Sequence, residues 1–266
     1  MSKKNTKKIR RVIFLGKKSY SINAIKLLLK LGIEIPILIL DRDTILKNKG
    51  FLEKNTMCFY EDDSVIYEKI EKKSSFVKNI DLVVSYLYWK KIRQKLIDLP
   101  KDGCINFHPA PLPAYKGRAG YNTAILDGRD NYGVSVHFID SEKFDSGPLI
   151  NIKTFKIDSK TINAYQLSML TQERLFLLFE ETIKEFMHGK KFKLKRNEGG
   201  IFLSKKDLEM LKIIKKDETK DNINTKIRAF FFPPYSGAQI NINGNYYTIV
   251  NEEILRYIQD LINEKN

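Results

Sequence analysis

The segment GCINFHPAPLPAYKGRAGY at residues 103–121 decides the predicted fold. Asn106 and His108 end a short apolar run, and a spacing of two residues places both side chains on the same face of a strand. Pro109, Pro111 and Pro113 cannot continue a sheet, so the chain must leave the strand as a stiff loop. A histidine held at a strand end is well placed to move a proton, so this segment is the candidate catalytic centre.

The residues before this segment predict alternating strands and helices. An apolar run at residues 11–15 precedes a helical apolar pattern at residues 22–29, and a second apolar run follows at residues 35–40. A strand, a helix and a strand within about thirty residues are typical of the parallel βαβ unit of a doubly wound sheet. Residues 41–63 have no clean period and predict a mobile connection, whereas residues 64–74 predict a charged helix.

A third apolar run, at residues 81–86, leads directly into Leu87, Tyr88 and Trp89. Ligands of open α/β sheets bind beyond the carboxyl ends of the strands, so this loop is a candidate binding loop. Ordinary packing of the aromatic side chains is an equally weighted alternative. The lysines of GKKS at residues 16–19 suggest a phosphate loop, but Arg11 stands where its first glycine would be, and we predict none.

Residues 133–140 alternate between apolar and polar side chains and predict a strand. We expect this strand to deliver the loop at residues 140–147 to the same edge of the sheet. A lone histidine in a strand is more often a satisfied structural residue, and we predict that role for His137. A metal site of His108 and His137 would need a further ligand such as Asp145, and no metal motif is present, so we predict no metal.

The last third of the chain predicts a small appended unit. A long helical pattern covers residues 161–187, and the composition then changes, so we divide the chain into a catalytic domain at residues 1–189 and a C-terminal subdomain at residues 190–266. Two apolar runs joined by Asn-Gly at residues 238–250 predict a β-hairpin, and residues 252–262 predict a final helix. We therefore expect an α/β fold with a doubly wound, mostly parallel sheet and a small C-terminal subdomain containing a β-hairpin.

The composition of this 266-residue chain is that of a globular protein without a membrane span. Its 47 Lys and Arg residues exceed its 32 Asp and Glu residues, which gives a formal net charge of +15. This excess would suit a polyanionic partner, but the lysines are scattered along every segment, and we favour a generally basic surface. Cys58 and Cys104 lack metal-like spacing, and the basic residues 1–11 lack the apolar core of a secretory signal, so we expect a reduced, cytoplasmic protein.

Three motifs resemble, in the same order, those of the folate-dependent formyltransferases. They are NFHP at residues 106–109, LPAYKG at residues 112–117 and FDSGP at residues 144–148. The resemblance spans residues 9–240 and is closest to the enzymes that formylate amino sugars attached to nucleoside diphosphates. It implies that a formyl group is transferred from N10-formyltetrahydrofolate to a sugar amine, for example that of a dTDP-linked 4-amino- or 3-amino-dideoxyhexose.

The resemblance also assigns roles to individual residues. It makes His108 the general base, Asn106 a donor to the oxyanion and Asp145 the support of the charged imidazole, and each role suits that side chain. The cofactor-binding residues that it implies are Tyr86, Leu87, Tyr88, Trp89, Ile139 and Asp140. The acceptor-binding residues that we predict are Lys116, Arg118, Tyr121 and Tyr235, with a solvated Lys116 as the alternative.

Two other functions stay open at this point. The positive charge would suit an enzyme that formylates initiator tRNA, and a folate- or sugar-nucleotide-binding protein without turnover would keep the same fold. In the tRNA-formylating relatives a β-barrel domain follows the segment similar to residues 227–239, and residues 240–266 suffice only for a hairpin and a helix. We therefore expect a nucleotide-linked amino sugar as the partner, no nucleic acid, no membrane insertion, and a homodimer as the candidate assembly.

Overall fold

The computed structural model describes residues 9–18, 20–55, 58–118 and 120–263, so the basic segment at residues 1–8 lies outside it. Its strands are β1 (Val12–Gly16), β2 (Leu38–Ile39), β3 (Phe59–Tyr60), β4 (Leu82–Tyr86), β5 (Cys104–His108), β6 (Tyr115–Gly117), β7 (Asn131–Phe138), β8 (Leu149–Lys156), β9 (Ile201–Leu203), β10 (Gln239–Ile242) and β11 (Asn245–Thr248). Its helices are α1 (Tyr20–Lys30), α2 (Arg42–Lys54), α3 (Ser64–Glu71), α4 (Gln94–Ile97), α5 (Gly120–Leu126), α6 (Ala164–Met187), α7 (Lys205–Leu211), α8 (Lys220–Phe230) and α9 (Glu252–Asn263), with a 3₁₀ turn at Ser75–Val77.

A seven-stranded sheet with the order β3-β2-β1-β4-β5-β7-β8 runs through the molecule. The five strands from β3 to β5 pair in parallel, and β7 is antiparallel to both β5 and β8. The strand order reverses between β1 and β4, which is the topological switch point of a doubly wound sheet. The predicted α/β fold with a mostly parallel sheet is therefore confirmed.

The parallel strands are apolar on both faces because helices cover both sides of the sheet. Every residue of β1 and of β4 is buried. Val12 and Phe14 pack into a core with α1 and α6, whereas Ile13 and Leu15 pack into a core with α3 and α4. We refer to these as the α1/α6 core and the α3/α4 core. The period of two that separates the two cores also decides which residues of β4 and β5 reach the site.

The predicted mobile connection at residues 41–63 is wrong, because this segment contains α2 and β3. The Asp41 side chain caps α2 by accepting a hydrogen bond from the Thr44 backbone N–H at 3.3 Å, and Leu52 is fully buried. Asn48 has non-helical dihedral angles, φ −127° and ψ 16°, in the middle of this helix. This kink shifts the apolar positions on either side of it out of phase, so no single helical period is visible in the sequence.

The C-terminal segment packs against the rest of the chain through a third core. Strand β9 pairs in parallel with β6, and α8 contacts both α5 and α6. The third core draws on both sides of residue 189 and includes Tyr115, Tyr132, Leu167, Phe230 and Ile254. The division of the chain at residue 189 stays a prediction.

The predicted β-hairpin is confirmed as the antiparallel pair β10 and β11. Asn243 and Gly244 form its turn with φ values of 50° and 87°. A type I′ turn needs positive φ at both central residues, which is why Asn-Gly favours it. None of the helices in the four described ranges is both long and apolar enough to cross a lipid bilayer.

Candidate active site

A cavity of about 660 Å³ lies beyond the carboxyl ends of β1, β4 and β5, next to the switch point of the sheet. Its walls include Lys17 and Lys18 after β1, Trp89 after β4 and His108 at the end of β5. A volume of this size is typical of sites for small ligands. A second cavity of about 660 Å³, at the N-terminal ends of α6, α8 and α9, contains none of the predicted site residues. The first cavity is therefore the candidate active site.

Three polar side chains form a row across neighbouring strands at the floor of this cavity. Ser85 of β4 pairs in register with Asn106 of β5, which pairs with His137 of β7. The adjacent residues Tyr86 and Phe107 face the α1/α6 core, so this row lies on the opposite face of the sheet. His137, predicted from the sequence to be structural, thus stands inside the candidate catalytic group.

Hydrogen bonds fix the direction of the row. The Ser85 hydroxyl donates to Asn106 Oδ1 at 2.7 Å, and Asn106 Nδ2 donates to His137 Nε2 at 3.1 Å. His137 Nδ1 lies 2.7 Å from the carbonyl oxygen of Phe138, which can only accept, so Nδ1 carries the proton. Nε2 of the neutral ring is then free to accept the Asn106 bond.

His108 and Asp145 lie side by side next to this row. His108 Nε2 donates to the carbonyl oxygen of Tyr115 at 2.9 Å, so Nδ1 is the ring nitrogen that can exchange a proton. This Nδ1 lies 3.4 Å from Asp145 Oδ1, and the same oxygen lies 3.5 Å from His137 Nε2 and 3.4 Å from Asn106 Nδ2. The structure therefore brings the three predicted catalytic residues together at one carboxylate oxygen.

Asp145 is a carboxylate at neutral pH. Burial alone raises its pKa, but the positive charge available on His108 and the hydrogen bond from the Gly117 N–H outweigh burial and hold the pKa well below its usual range. The Gly117 bond, from its N–H to Asp145 Oδ2, is 2.8 Å long. Once His108 has taken a proton as a general base, the negative charge of Asp145 at 3.4 Å stabilises the imidazolium.

The loop that carries Asp145 reaches the site by an unexpected route. Strand β7 is antiparallel to β5, and its last residue, Phe138, pairs with Ile105 near the start of β5. The expectation that β7 delivers the loop to the carboxyl edge is therefore wrong. The loop instead runs back over the α3/α4 face, where Asp145 meets Asn106 and His137.

Asn197 holds this loop in place. Its side-chain amide donates to the carbonyl oxygens of Asp145 and Gly147, both at 2.9 Å. Asp145 has a φ of 50°, which is uncommon for a residue other than glycine and needs such support. A Cβ atom on Gly147 would lie 1.9 Å from the Phe138 carbonyl oxygen, so only glycine fits there. Asn197 was not predicted, because it lies 52 residues from Asp145 in a segment without periodicity.

The predicted cofactor-binding residues divide into two groups. Four of the six line the cavity: Leu87, Tyr88, Trp89 and Ile139. The Tyr86 side chain does not reach it, because Tyr86 neighbours Ser85 on β4 and so faces the α1/α6 core, where its ring lies 6.3 Å from that of Phe14. Asp140 is exposed and is also absent from the cavity wall. The cofactor roles of the first four stay predictions.

The predicted acceptor-binding residues also divide. Three of the four line the cavity: Arg118, Tyr121 and Tyr235. The Lys116 ammonium instead donates to the carbonyl oxygen of Asn197 at 2.9 Å, so it is neither in the cavity wall nor freely solvated. The Tyr121 ring stacks on Phe232 with centroids 6.3 Å apart, and Phe232 lies 6.0 Å from Tyr235. We refer to Tyr121, Phe232 and Tyr235 as the aromatic wall.

The cavity is rich in positive charge. Eight lysine and arginine side chains line it, against three carboxylates. The Lys17 ammonium lies 4.8 Å from the centroid of the Trp89 ring, and the Lys18 ammonium lies 5.1 Å from that of Phe232. Lys17 and Lys18 were missed because GKKS was weighed only as a phosphate loop, although their position directly after β1 already placed them at the carboxyl edge. This cavity suits anionic ligands.

Within the described ranges, no cluster of three or more His, Cys, Asp and Glu side chains is arranged to hold a metal ion.

Ser85, like Lys17 and Lys18, was not predicted from the sequence as a site residue. Its signal was the strand period, which puts position 85 on the same face as Val83 and opposite to Tyr86.

The sequence is similar to proteins of known activity. The family model described as Formyl transferase matches residues 43–178. GDP-perosamine N-formyltransferase of Brucella melitensis is 29% identical over 176 residues, which cover 66% of this chain and 66% of that enzyme, just under two thirds of its length. Methionyl-tRNA formyltransferase of Thermotoga neapolitana is 26% identical over 257 residues, which cover 88% of this chain and 76% of that enzyme.

Solved structures share the fold. A 4-N formyltransferase from Francisella tularensis has a TM-score of 0.74 at 18% identity, with 92% of this chain and 98% of that chain covered. A sugar 3N-formyl transferase solved in the presence of dTDP and 5-N-formyl-THF has a TM-score of 0.69 at 23% identity, with 90% of this chain and 84% of that chain covered. These likenesses support the α/β fold described above.

Proposed function

The chain belongs to the formyl transferase family, and from this premise we propose that it transfers a formyl group from N10-formyltetrahydrofolate to the amine of a nucleoside-diphosphate-linked amino sugar. One observation carries the proposal. A single cavity connects Asn106, His108 and Asp145 with the predicted folate loop on one side and with the aromatic wall and its neighbouring cations on the other. The names of the Brucella relative and of the dTDP-bound neighbour support the same activity.

The folate donor occupies the side of the cavity next to the α3/α4 core. Tyr88 and Ile139 pack against that core, and Leu87 and Trp89 complete the wall. Apolar and aromatic groups of this kind suit a pterin ring. Lys17, which lies over Trp89, adds a positive charge on the same side for the carboxylates of a folate.

The acceptor occupies the other side. The aromatic wall offers ring faces on which a nucleobase or a sugar can stack, and Phe232 packs against the third core. Arg118 lines the cavity and Lys18 lies over Phe232, so these two cations are placed to meet the diphosphate. Lys116, bonded to Asn197, is a support of the loop and not a ligand of the phosphates.

The reaction uses the side chains at the floor of the cavity. The sugar amine attacks the formyl carbon, and His108 Nδ1 takes its proton while Asp145 stabilises the imidazolium at 3.4 Å. The negative charge that develops on the formyl oxygen is met by an Asn106 N–H, whose 3.4 Å contact with Asp145 is long enough to be redirected. The bond from the formyl carbon to N10 of the folate then breaks, and N10 recovers a proton from the imidazolium.

Initiator-tRNA formylation is the alternative that the Thermotoga relative brings forward. Transfer to an amino sugar is favoured, because the aromatic and cationic residues that line the cavity suit a nucleoside diphosphate. Cys58 and Cys104 of this protein form no disulfide, which fits the cytoplasm that we propose as the site of the reaction.

Parallel activity assays with the two classes of acceptor separate the two activities. The protein is supplied with 10-formyltetrahydrofolate and, in parallel, with dTDP-, GDP- and UDP-linked amino sugars or with charged initiator tRNA. We expect turnover with at least one sugar nucleotide and none above background with the tRNA. Formylation of the tRNA at a comparable or higher rate would overturn the proposed acceptor.

A further inference from the structure

We propose that Ser85 is a positioning residue that anchors the Asn106 amide, so that the N–H edge of this amide faces the reacting atoms. The kinetic part of this inference rests on the proposed function, whereas its structural part does not. Ser85 lies at the floor of the cavity, and its hydroxyl is bonded to Asn106, so it acts on the reaction through Asn106.

The first support is the direction of the hydrogen bonds. The chain runs from Ser85 Oγ to Asn106 Oδ1 at 2.7 Å, from Asn106 Nδ2 to His137 Nε2 at 3.1 Å, and from His137 Nδ1 to the Phe138 carbonyl at 2.7 Å. Each group donates towards β7. Neighbouring bonds in such a chain polarise one another, so the Ser85 bond strengthens the donor character of the Asn106 N–H groups.

The second support is the chemistry of the groups around the amide. Asp145 Oδ1, 3.4 Å from Asn106 Nδ2, can only accept, and the lone pair of His137 Nε2 also needs a donor. Both place the amide nitrogen towards Asp145 and the amide oxygen towards Ser85. A reversed amide would set its oxygen against the carboxylate and against that lone pair. The Ser85 hydroxyl therefore has to donate.

The third support is burial. Ser85 is 3% exposed, so water does not readily replace its hydroxyl as a donor to Asn106 Oδ1. A buried carbonyl oxygen without a donor is costly, and an amide held at one end only can turn about its last side-chain bond. Loss of the hydroxyl would thus leave the oxyanion donor in place but poorly aimed.

The kinetic test compares Ser85→Ala, Ser85→Thr and Thr171→Val. Removing an oxyanion donor outright costs about 10²- to 10³-fold in kcat, and we expect Ser85→Ala to lose about 10-fold with KM for both substrates unchanged. Ser85→Thr keeps the hydroxyl and should recover most of kcat. Thr171→Val is the matched control, because it removes a buried hydroxyl that donates to the Leu167 carbonyl at 2.6 Å, and it should leave kcat unchanged.

A double-mutant cycle distinguishes positioning from general destabilisation. If Ser85 acts through Asn106, Ser85→Ala should cause no further loss of kcat in the Asn106→Ala background. Independent, multiplying losses would overturn the inference. So would a Ser85→Ala protein with the kcat of the wild type.

A measurement without turnover tests the structural part. In protein labelled with nitrogen-15 asparagine, the Asn106 side-chain amide is identified by its absence in Asn106→Ala. We expect two distinct, slowly exchanging amide protons in the wild type, and faster exchange and broadening in Ser85→Ala. Unchanged signals in Ser85→Ala would contradict the anchoring role, whereas a wild type that formylates no acceptor would contradict only the proposed function.

Discussion

At the scale of single residues, one oxygen atom connects the candidate catalytic group. Asp145 Oδ1 lies within 3.5 Å of nitrogen atoms of His108, His137 and Asn106. Residues that share one partner in this way act as a unit, so their losses should not multiply.

His108→Asn should therefore lower kcat by about 10²- to 10⁴-fold, the usual cost of losing a general base. Asp145→Asn keeps the shape, removes the charge and should also lower kcat strongly, with sugar-nucleotide binding nearly unchanged. The double mutant should be little worse than the less active single mutant. Steady-state kinetics with both substrates measure these effects, and thermal midpoints show whether each variant is folded. Destabilised variants with normal kcat would make His108 and Asp145 structural residues.

The lowered pKa of Asp145 predicts a pH dependence of stability. In the unfolded chain, the pKa of an aspartate is about 3.9, and in the folded protein the pKa of Asp145 lies below that value. The Asp145 carboxylate therefore stabilises the fold at pH values above about 3.9. Its contribution is lost as the pH falls below about 4 towards the folded pKa. The free energy of unfolding of the wild type should therefore exceed that of Asp145→Asn most at neutral pH, and the difference should shrink in acid. A difference that grows as the pH falls would contradict the assigned charge.

The hydrogen bonds of the histidines predict their tautomers. Neutral His137 should carry its proton on Nδ1, because that atom donates to the Phe138 carbonyl, and neutral His108 should carry it on Nε2, because that atom donates to the Tyr115 carbonyl. The chain has 3 histidines, so nitrogen-15 histidine spectra can be assigned with single substitutions. Protonation of His137 at Nε2 in the neutral ring would contradict the direction of the Asn106 bond.

Many residues of the candidate active site can be predicted from the alternation of side chains along the strands. The alternation along β5 correctly places Asn106 and His108 on one face, and the same rule, applied to β4, would have separated Ser85 from Tyr86. Asn197 could not be found in this way. Its contacts with Asp145 and Gly147 join distant segments through side-chain geometry that no local pattern encodes.

At the scale of secondary-structure elements, two consecutive lysines between β1 and α1 have different aromatic partners. Lys17 lies over Trp89, on the side that we propose for the folate, and Lys18 lies over Phe232, on the side that we propose for the acceptor. Under the proposed function, each lysine would neutralise a different anion.

Substitution of these lysines should accordingly affect different substrates. Lys17→Ala should raise KM for the folate, and Lys18→Ala should raise KM for the sugar nucleotide, each by several-fold and with little change in kcat. Lys30→Ala, an exposed lysine at the far end of α1, is the matched control. Equal effects of Lys17→Ala and Lys18→Ala on the KM values of both substrates would contradict separate contacts with the two substrates and would indicate a general electrostatic effect of positive charge.

Elements with one strong period were predictable, and interrupted ones were not. The long helix α6 is regular, and its N-terminus carries a capping box between Asn163 and Gln166. Helix α2 was missed because of its kink at Asn48. The pairing of β6 with β9 joins two strands of three residues each, which are too short to show a pattern.

At the scale of the whole molecule, the two proposed ligand sides of the cavity rest on different cores. The residues proposed to bind the donor pack on the α3/α4 core, and those proposed to bind the acceptor pack on the third core, which includes residues from both sides of position 189. The doubly wound fold could be predicted from the order of apolar runs. The third core could not, because it joins segments far apart in the sequence through contacts that only the folded chain reveals.

The central claim is formyl transfer from folate to a sugar amine by these residues, and transfer of a labelled formyl group tests it most directly. Wild-type protein and His108→Asn are each incubated with 10-formyltetrahydrofolate that carries carbon-13 in its formyl group, together with a panel of nucleotide-linked amino sugars, and the products are followed by mass spectrometry and NMR. We predict a labelled formamide on at least one sugar with the wild type, and a rate about 10²- to 10⁴-fold lower with His108→Asn. A wild type that binds folate and yet labels none of the sugars, or a His108→Asn protein that labels one at the wild-type rate, would contradict the account.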